Sequence, residues 1–491
     1  MLSRRFFLGV ASSLVLARSA LAQQAARKRP NILLILADDW GWVTARAEDP
    51  FGMKLPAFDR IRRDGVHFEN AFVAQPSCTP SRAAILTGRP PYQLREGAYL
   101  SGTLPAEFDV YPDLLERHGY HCGFAGKGWA PGNVSAGGRT RNPAGDEYPD
   151  FAAFLKAREQ DAPFCYWHGS QNPHRPYNAG EGEGEGISIP AGKLPPYLPD
   201  IPIARRDAAD YVSRVQRFDA EAADLLAALE VAGELDNTLI VITGDNGWPY
   251  PRSKANLYDS GTHAPLAMMW PARFPAGLVS KALVSLTDLA PTFLEAAAVP
   301  IPSAMTGQSL LGHIEGGPAP HSFITTSLER HNDGRDVSGE GYPARAIRTE
   351  RWLYIRNLKP ERYPAGKRRI YDPGKLAQYS FAGYPDIDYG ITKEYIIEHR
   401  EDPNIRPYYA IATERRPARQ LFDIVADPAN MTDLSDDDRY RAVADELDAL
   451  LMKELRDKGD PRIVGGGEFF DLVPPFVKPD PSSRFSRPAD F

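Results

Sequence analysis

Cysteine is nearly missing: the 491-residue chain holds three, Cys78, Cys122 and Cys165. Three thiols cannot staple a fold together, and no CxxC spacing offers a structural zinc site. Cys122 and Cys165 lie in apolar, strand-like runs at 120–125 and 163–167 and are read as buried thiols in preference to a bridge between them. Long apolar stretches are missing too. The run at residues 6–16 falls short of the ~20 residues that span a bilayer, and nothing later is longer, so no stable membrane anchor is expected. Nor is there a surplus of positive charge: Lys and Arg number 57 against 64 Asp and Glu, a net −7 at pH 7. That argues against nucleic-acid binding, which needs a basic field, yet leaves room for a local cationic pocket facing a small anion. No internal repeat is visible.

Proline and glycine are plentiful, at 45 and 41 residues, which predicts many ordered turns and long loops. The N-terminus carries a twin-arginine pattern, Ser3-Arg4-Arg5-Phe6-Phe7-Leu8, then the apolar run and a small-residue cleavage site at Ala20-Leu21-Ala22. Residues 1–22 therefore read as a signal peptide, and the mature protein is expected to be periplasmic or secreted. A twin-arginine route carries folded proteins, which suits a chain modified or metal-loaded before export.

Residues 31–37 are an unbroken apolar run ending in Asp38-Asp39. Similar runs occur at 163–169 and at 238–243, the latter leading into Gly244-Asp245-Asn246-Gly247. Runs without alternation fit central strands buried on both faces. Helical periodicity fills the gaps, at 56–64 and over 204–232. The alternation predicts an α/β fold with a large, mostly parallel sheet flanked by helices. In such sheets ligands bind outside the carboxyl ends of the strands, where Asp38-Asp39 and Asp245-Asn246 both fall. Beyond about 317 the pattern changes to short strands at 320–328, 344–348, 351–357 and 420–424 and an amphipathic helix at 436–458. Residues 23–318 are thus expected to form a catalytic domain and 319–491 a smaller C-terminal α+β domain, ending in a Pro-rich tail from 465. The low-complexity segment 180–186 (GEGEGEG) reads as a solvated flexible loop.

The sharpest motif is Cys78-Thr79-Pro80-Ser81-Arg82 followed by Ala83-Ala84-Ile85-Leu86-Thr87-Gly88. Taken alone it could be a buried cysteine at a strand-to-helix turn. With its flanks it resembles the signature of the formylglycine-dependent sulfatase family, and the resemblance extends over most of residues 29–460. It implies an alkaline-phosphatase-like sulfatase fold and a hydrolase of sulfuric esters. It also implies oxidation of Cys78 to formylglycine (3-oxoalanine) by a formylglycine-generating or anaerobic sulfatase-maturating enzyme. The hydrated aldehyde supplies two hydroxyls, one to attack sulfur and one to expel sulfate afterwards. Asp38, Asp39, Asp245 and Asn246 resemble the family's metal ligands, with residue 78 joining them. All-oxygen ligands suit a hard cation such as Ca²⁺. Any one Asp alone would be read as a helix cap or turn residue.

Arg82 is then expected to pair with the modified side chain or a nearby carboxylate. Lys127, in Gly126-Lys127-Gly128-Trp129, resembles the family's GKxH lysine, and Lys254 the cation ahead of its LY(E/W)xG element. Both would stabilise charge on a sulfuryl group. His174, in Asn172-Pro173-His174-Arg175-Pro176, resembles the PHxP histidine that protonates the leaving atom. As isolated residues, both lysines would be read as solvated and His174 as structural. Trp129 departs from the pattern: it stands where GKxH has histidine and cannot exchange protons. His263 and His168 are candidate substitutes.

Within the family the likeness is to the heparan N-sulfatase (sulfamidase) branch, carried by segments 194–200, 205–207, 216–219, 249–258 with 261–262, and 342–348. It implies a sulfated saccharide substrate, with glucosamine N-sulfate as one option. Trp129, His263, Glu329, Arg330, His331 and Arg345 are candidate substrate contacts. Two other readings stay open: a phosphonate or phosphate monoester hydrolase of the same superfamily, and a non-catalytic sulfated-glycan-binding protein should Cys78 stay unmodified.

Overall fold

The computed structural model describes residues 29–44, 50–335, 337–366, 383–474 and 476. The expected signal peptide and the end of the tail lie outside them. Among the described residues twelve strands form two sheets: β1 Asn31–Ala37, β2 Val66–Phe72, β3 His121–Gly126, β4 Asp146–Glu147, β5 Phe164–Gly169, β6 Thr238–Gly244, β7 His263–Met269 and β8 Leu278–Ser285 make the first, and β9 Ile324–Leu328, β10 Ala344–Arg348, β11 Trp352–Asn357 and β12 Arg419–Asp423 the second. The helices that matter most are α1 (Pro56–Arg63), α2 (Cys78–Thr87), α3 (Pro202–Val231), α4 (Leu289–Ala296), α5 (Ile391–Glu398) and α6 (Arg441–Asp457).

The eight-stranded sheet runs in the order β4-β3-β5-β1-β6-β7-β2-β8, and only β7 opposes the rest. Its centre, β1, is buried at every position. Alternate residues face opposite cores: Ile32, Leu34 and Leu36 pack with Ala83, Ile85 and Leu86 of α2 and Phe293 of α4. Leu33 and Ile35 pack with Phe58 and Ile61 of α1 and Val215, Phe218 and Leu225 of α3. A strand covered on both faces has no polar side to show, which is why 31–37 reads as a continuous apolar run. Helix α1 opens with Pro56, and Asp219 of α3 takes the backbone N–H groups of Ala57 and Phe58 at 2.9 and 2.8 Å. That supplies acceptors to helix-terminal donors that have none within the helix.

The second sheet, β12-β11-β10-β9, is antiparallel throughout. One face packs Ile347, Tyr354 and Leu421 against Leu447, Leu451 and Leu455 of α6. The other places Ala346, Leu353, Ile355 and Phe422 on Leu257 and Tyr258, just ahead of β7. The strand expected from 320 begins only at Ile324, after Pro318 and Pro320, which have no N–H to give a ladder. No helix among the described residues is long and apolar enough to cross a membrane.

The segment 180–186 is not the solvated loop its composition suggests. Glu181–Gly184 form a helical turn with Gly182 buried. The Asp210 carboxylate accepts from Gly180 N and Gly182 N, both at 2.9 Å, while Glu181 pairs with Arg214 and Glu185 with Arg217. Alternate glutamates find arginines on α3, so pairing rather than glycine content decides the conformation.

Candidate active site

β1 and β6 are parallel neighbours, with Ala37 level with Gly244. The residues that follow, Asp38-Asp39 and Asp245-Asn246, therefore leave the sheet side by side. Asp39 sits in the left-handed region at φ 74°, a conformation uncommon for residues with a Cβ. Its N–H donates to Asp245 Oδ1 at 2.9 Å, and its own Oδ1 accepts from Asn246 Nδ2 at 2.7 Å. Strain of this kind persists where surrounding bonds over-determine it.

Helix α2 brings Cys78 to the same point. Pro80 falls in its first turn, where a missing N–H costs nothing, and Gly88 ends it at φ 63°. Cys78 Sγ lies 3.3 Å from Asp38 Oδ1 and 3.9 Å from Asp39 Oδ1. One turn on, the wholly buried Arg82 donates from Nε to Asp245 Oδ2 at 2.8 Å and from Nη1 to the carbonyl oxygens of Lys127 and Gly128 at 2.6 and 3.0 Å. Lys127 follows Gly126, whose φ of 72° and tight approach to the Gly169 carbonyl leave no room for a side chain. Its Nζ donates to both Asp38 oxygens, at 2.7 and 2.6 Å. Lys254 Nζ bridges Asp39 Oδ2 at 2.9 Å and Asp388 Oδ2 at 2.8 Å. His174 Nε2 is 3.8 Å from Asp39 Oδ2, and its Nδ1 is bonded to the Arg175 carbonyl at 2.5 Å. A carbonyl only accepts, so Nδ1 carries hydrogen in either charge state and Nε2, facing the pocket, is the exchangeable position.

These groups floor a cavity of about 430 Å³ lined by Asp38, Cys78, Lys127, His174, Lys254 and Asp388, with Leu100, Asn172, His331 and Asn332 on its walls. Burial would raise Asp38, but Lys127, His174, Arg82 and Lys254 hold its carboxyl well below the usual range. Burial pushes Asp245 up to about 6, with Arg82 opposing and Asp38 adding to the rise. Burial and then the Asp38 charge push the Cys78 thiol up, so as a plain cysteine it is protonated and a weak nucleophile.

The residues fit a hard cation. One ligand atom from each of Asp38, Asp39, Cys78 and Asp245 lies within 4.8 Å of the others. Asn246 Oδ1 is buried with no hydrogen-bond partner among the described residues, an acceptor with nothing to accept from. Four pocket carboxylates (Asp38, Asp39, Asp245, Asp388) meet three fixed cations (Arg82, Lys127, Lys254). One negative charge is left over, and a divalent ion would make the site attract an anion.

Sequence comparison agrees with this constellation. Residues 30–137 and 145–299 match the sulfatase family, and 244–364 match the C-terminal region of N-sulphoglucosamine sulphohydrolase. The chain belongs to the sulfatase family. Among its relatives, human N-sulphoglucosamine sulphohydrolase is 28% identical, over 89% of this chain and 92% of its own. An ulvan-active sulfatase of Formosa agariphila is 26% identical, over 88% of this chain and 76% of its own. The fold matches that of BT4656, solved in complex with its substrate D-glucosamine-2-N,6-O-disulfate, at a TM-score of 0.64 and 20% identity, covering 88% of this chain and 99% of the other.

Not every residue singled out from the sequence reaches the pocket of this sulfatase. Asp38, Asp39, Cys78, Arg82, Lys127, His174, Asp245, Asn246 and Lys254 converge there, and His331 lies on the wall. Trp129 does not: it is 1% exposed and packed in the core, so close to Gly132 that a Cβ there would meet its ring at 2.1 Å. His263 is stacked between Trp42 and Phe72 and bonded through Nε2 to the Glu69 carbonyl. His168 pairs with Glu221 at 2.9 Å. Glu329 and Arg345 are buried partners of each other and of Asp460 and Arg462. Arg330 lies over the Tyr99 ring and donates to the Gly339 and Val473 carbonyls. Those five candidate substrate contacts (Trp129, His263, Glu329, Arg330, Arg345) and the substitute His168 are therefore engaged within the fold, since adjacency in sequence to a pocket residue says nothing of which way a side chain points. Asp388 was missed. It stands in Asp386-Ile387-Asp388, where Asp386 has the structural task of holding Arg335 and the Asn332 N–H, and no spacing distinguishes the two.

Proposed function

We propose that this sulfatase removes the sulfuryl group from a sulfated saccharide, with N-sulfated glucosamine as its substrate unit. The observation that carries the reading is the placement of Cys78 Sγ 3.3 Å from Asp38 beneath Lys127, Lys254 and His174: a nucleophile position, a cation cradle and an acid on one cavity floor. The names and coverage of the human and bacterial relatives support the saccharide, and the match at 244–364 supports the glucosamine unit. The twin-arginine pattern supports work outside the cytoplasm.

Asp38, Asp39, Asp245 and Asn246 would hold Ca²⁺, which when bound draws electron density from a sulfuryl oxygen. Formylglycine made from Cys78 by a maturating enzyme would supply, as its hydrate, a hydroxyl nucleophile in place of the protonated thiol. The chain's own groups account for the rest. Lys127 and Lys254, each fixed on a carboxylate, present N–H donors to the oxygens on which charge builds. Arg82 anchors Asp245 and the turn carrying Lys127. His174 donates from Nε2 to the departing nitrogen or oxygen, which an amine needs because its anion is a very poor leaving group.

The test is digestion of defined N-, 2-O- and 6-O-sulfated glucosamine saccharides with free sulfate as readout, together with the mass of the peptide bearing residue 78. Release from the N-sulfated unit and a peptide about 18 Da lighter than the thiol are expected. An unmodified peptide from the native host with no release would favour a binding protein instead.

A further inference from the structure

Neither family match extends to Asp388; they end at 299 and 364. The chain that carries it is nevertheless fixed. Tyr384, Ile387, Ile396, Ile397, Ile405 and Tyr409 form a small core of their own. Lys393 Nζ donates to the carbonyls of Tyr384 and Ile387 at 3.1 and 2.6 Å, pinning the turn ahead of Asp388. Two ties fasten this unit to the catalytic half. Thr392 Oγ1 donates at 2.6 Å to Asp207, whose oxygens also hold Arg175 at 2.8 and 2.9 Å. Gly390 lies against that arginine so closely that a Cβ would come within 2.5 Å of its guanidinium carbon. Asp388 thus reaches the pocket at a set depth, beside the residue that follows His174.

The two oxygens of Asp388 differ. Oδ2 accepts from Lys254 at 2.8 Å, while Oδ1 is 3.9 Å from His331 Nε2, too far for a direct hydrogen bond. His331 itself is held through Nδ1 by Ser77 Oγ at 2.8 Å. One Asp388 oxygen, a ring nitrogen of His174 and an Asp39 oxygen lie within 4.8 Å of one another. A sulfuryl oxygen accepting from Lys254 Nζ would lie beside Asp388, which shares that nitrogen at 2.8 Å and lines the same cavity, so the ring attached to the sulfuryl group would have Asp388 within reach. A carboxylate there accepts hydrogen bonds well and tolerates a second anion badly.

We propose that Asp388 sets the sugar specificity of this sulfatase. Its Oδ1 accepts a hydrogen bond from the hydroxyl on the ring carbon beside the cleaved group, and its charge turns away rings sulfated at that hydroxyl. The proposal rests on the saccharide reading above. For a glucosamine N-sulfate in glycosidic linkage, whose C1 has no free hydroxyl, the position concerned is the 3-hydroxyl, so the sugars tested are glycosides.

The experiment compares wild type, Asp388→Ala and the isosteric Asp388→Asn on three substrates: glucosamine N-sulfate, its 3-O-sulfated analogue and 4-nitrophenyl sulfate, which has no ring hydroxyl. Wild type should prefer the 3-hydroxyl sugar. Asp388→Ala should lose roughly a hundredfold in kcat/KM on that sugar, the value of a charged hydrogen bond, and less than about tenfold on the aryl ester. Asp388→Asn should keep part of the activity on the free sugar and lose the discrimination against its 3-O-sulfated analogue. Equal losses on sugar and aryl ester in variants with unchanged melting curves would mean that Asp388 acts only through Lys254, and would overturn the proposal. So would a preference that survives both substitutions. Wild type that cleaves the aryl ester and no saccharide overturns the saccharide reading, and this proposal with it.

Discussion

The pocket floor and the cluster around Arg345 are both made of buried ions. In the Arg345 cluster every carboxylate oxygen is engaged. Glu329 gives one oxygen to Arg345 and one to Arg462, Asp460 gives both to Arg345, and Asp471 gives its two to Arg462 and Arg362. Nothing is left over for a ligand. On the pocket floor the same residue types are left unfinished: Asn246 Oδ1 and Arg82 Nη2 lack hydrogen-bond partners among the described residues, carboxylates outnumber cations, and Asp39 holds a left-handed backbone. Buried charge alone does not mark a functional site. Unmatched buried charge beside a cavity does.

Replacing Cys78 with alanine should divide the two clusters most sharply. Sulfate release should fall by about 10⁴-fold or more, because the attacking group is gone, while the melting temperature moves by no more than about two degrees. Arg345→Met should do the reverse. It leaves Asp460 buried without its guanidinium and Glu329 with Arg462 alone, and should cost about 3–5 kcal/mol in denaturant unfolding, with the folded fraction keeping its specific activity. Lost activity at intact stability would return Arg345 to the substrate. Chelation should then affect only the pocket: calcium at a hundred times its Kd should add about 2.7 kcal/mol to wild type and nothing to Asp245→Ala, read as the calcium-dependent shift in melting temperature. The smallest effect is in acid. Arg462 and Arg362 overcome the effect of burial and hold Asp471 down at about 2. A lowered carboxyl contributes stability above its unfolded value, lost as pH falls through about 2. Asp471→Asn should therefore flatten the decline in stability between roughly pH 4 and pH 2, leaving neutral-pH turnover untouched.

The same contrast explains how much could be read in the chain. β1, β5 and β6 were legible because strands covered on both faces are apolar throughout, and their acidic ends followed from the parallel sheet. Cys78, Arg82, Lys127, His174 and Lys254 were legible because each lies in a short motif whose backbone shape is local. Trp129 was not, since its neighbour Lys127 reaches the pocket while the indole turns into the core. Glu329 and Arg345 failed for a related reason: charged residues look alike in sequence whether their partners are a substrate or one another, and Asp460 and Arg462 lie over a hundred positions away; Arg330 likewise turns to the Tyr99 ring and the Val473 carbonyl. Asp388 had no motif at all. The glutamates of 180–186 were misread because composition cannot see arginines one turn apart on a distant helix.

The depth of Cys78 has a bearing on timing. With 2% of its surface exposed and its sulfur 3.3 and 3.9 Å from oxygens of Asp38 and Asp39 at the bottom of the cavity, the folded chain offers a second protein no grip on that side chain. On the formylglycine reading proposed above, the maturating enzyme would have to act while helix α2 is still unformed or undocked, and a molecule that closed first would keep a protonated thiol in place of the proposed nucleophile.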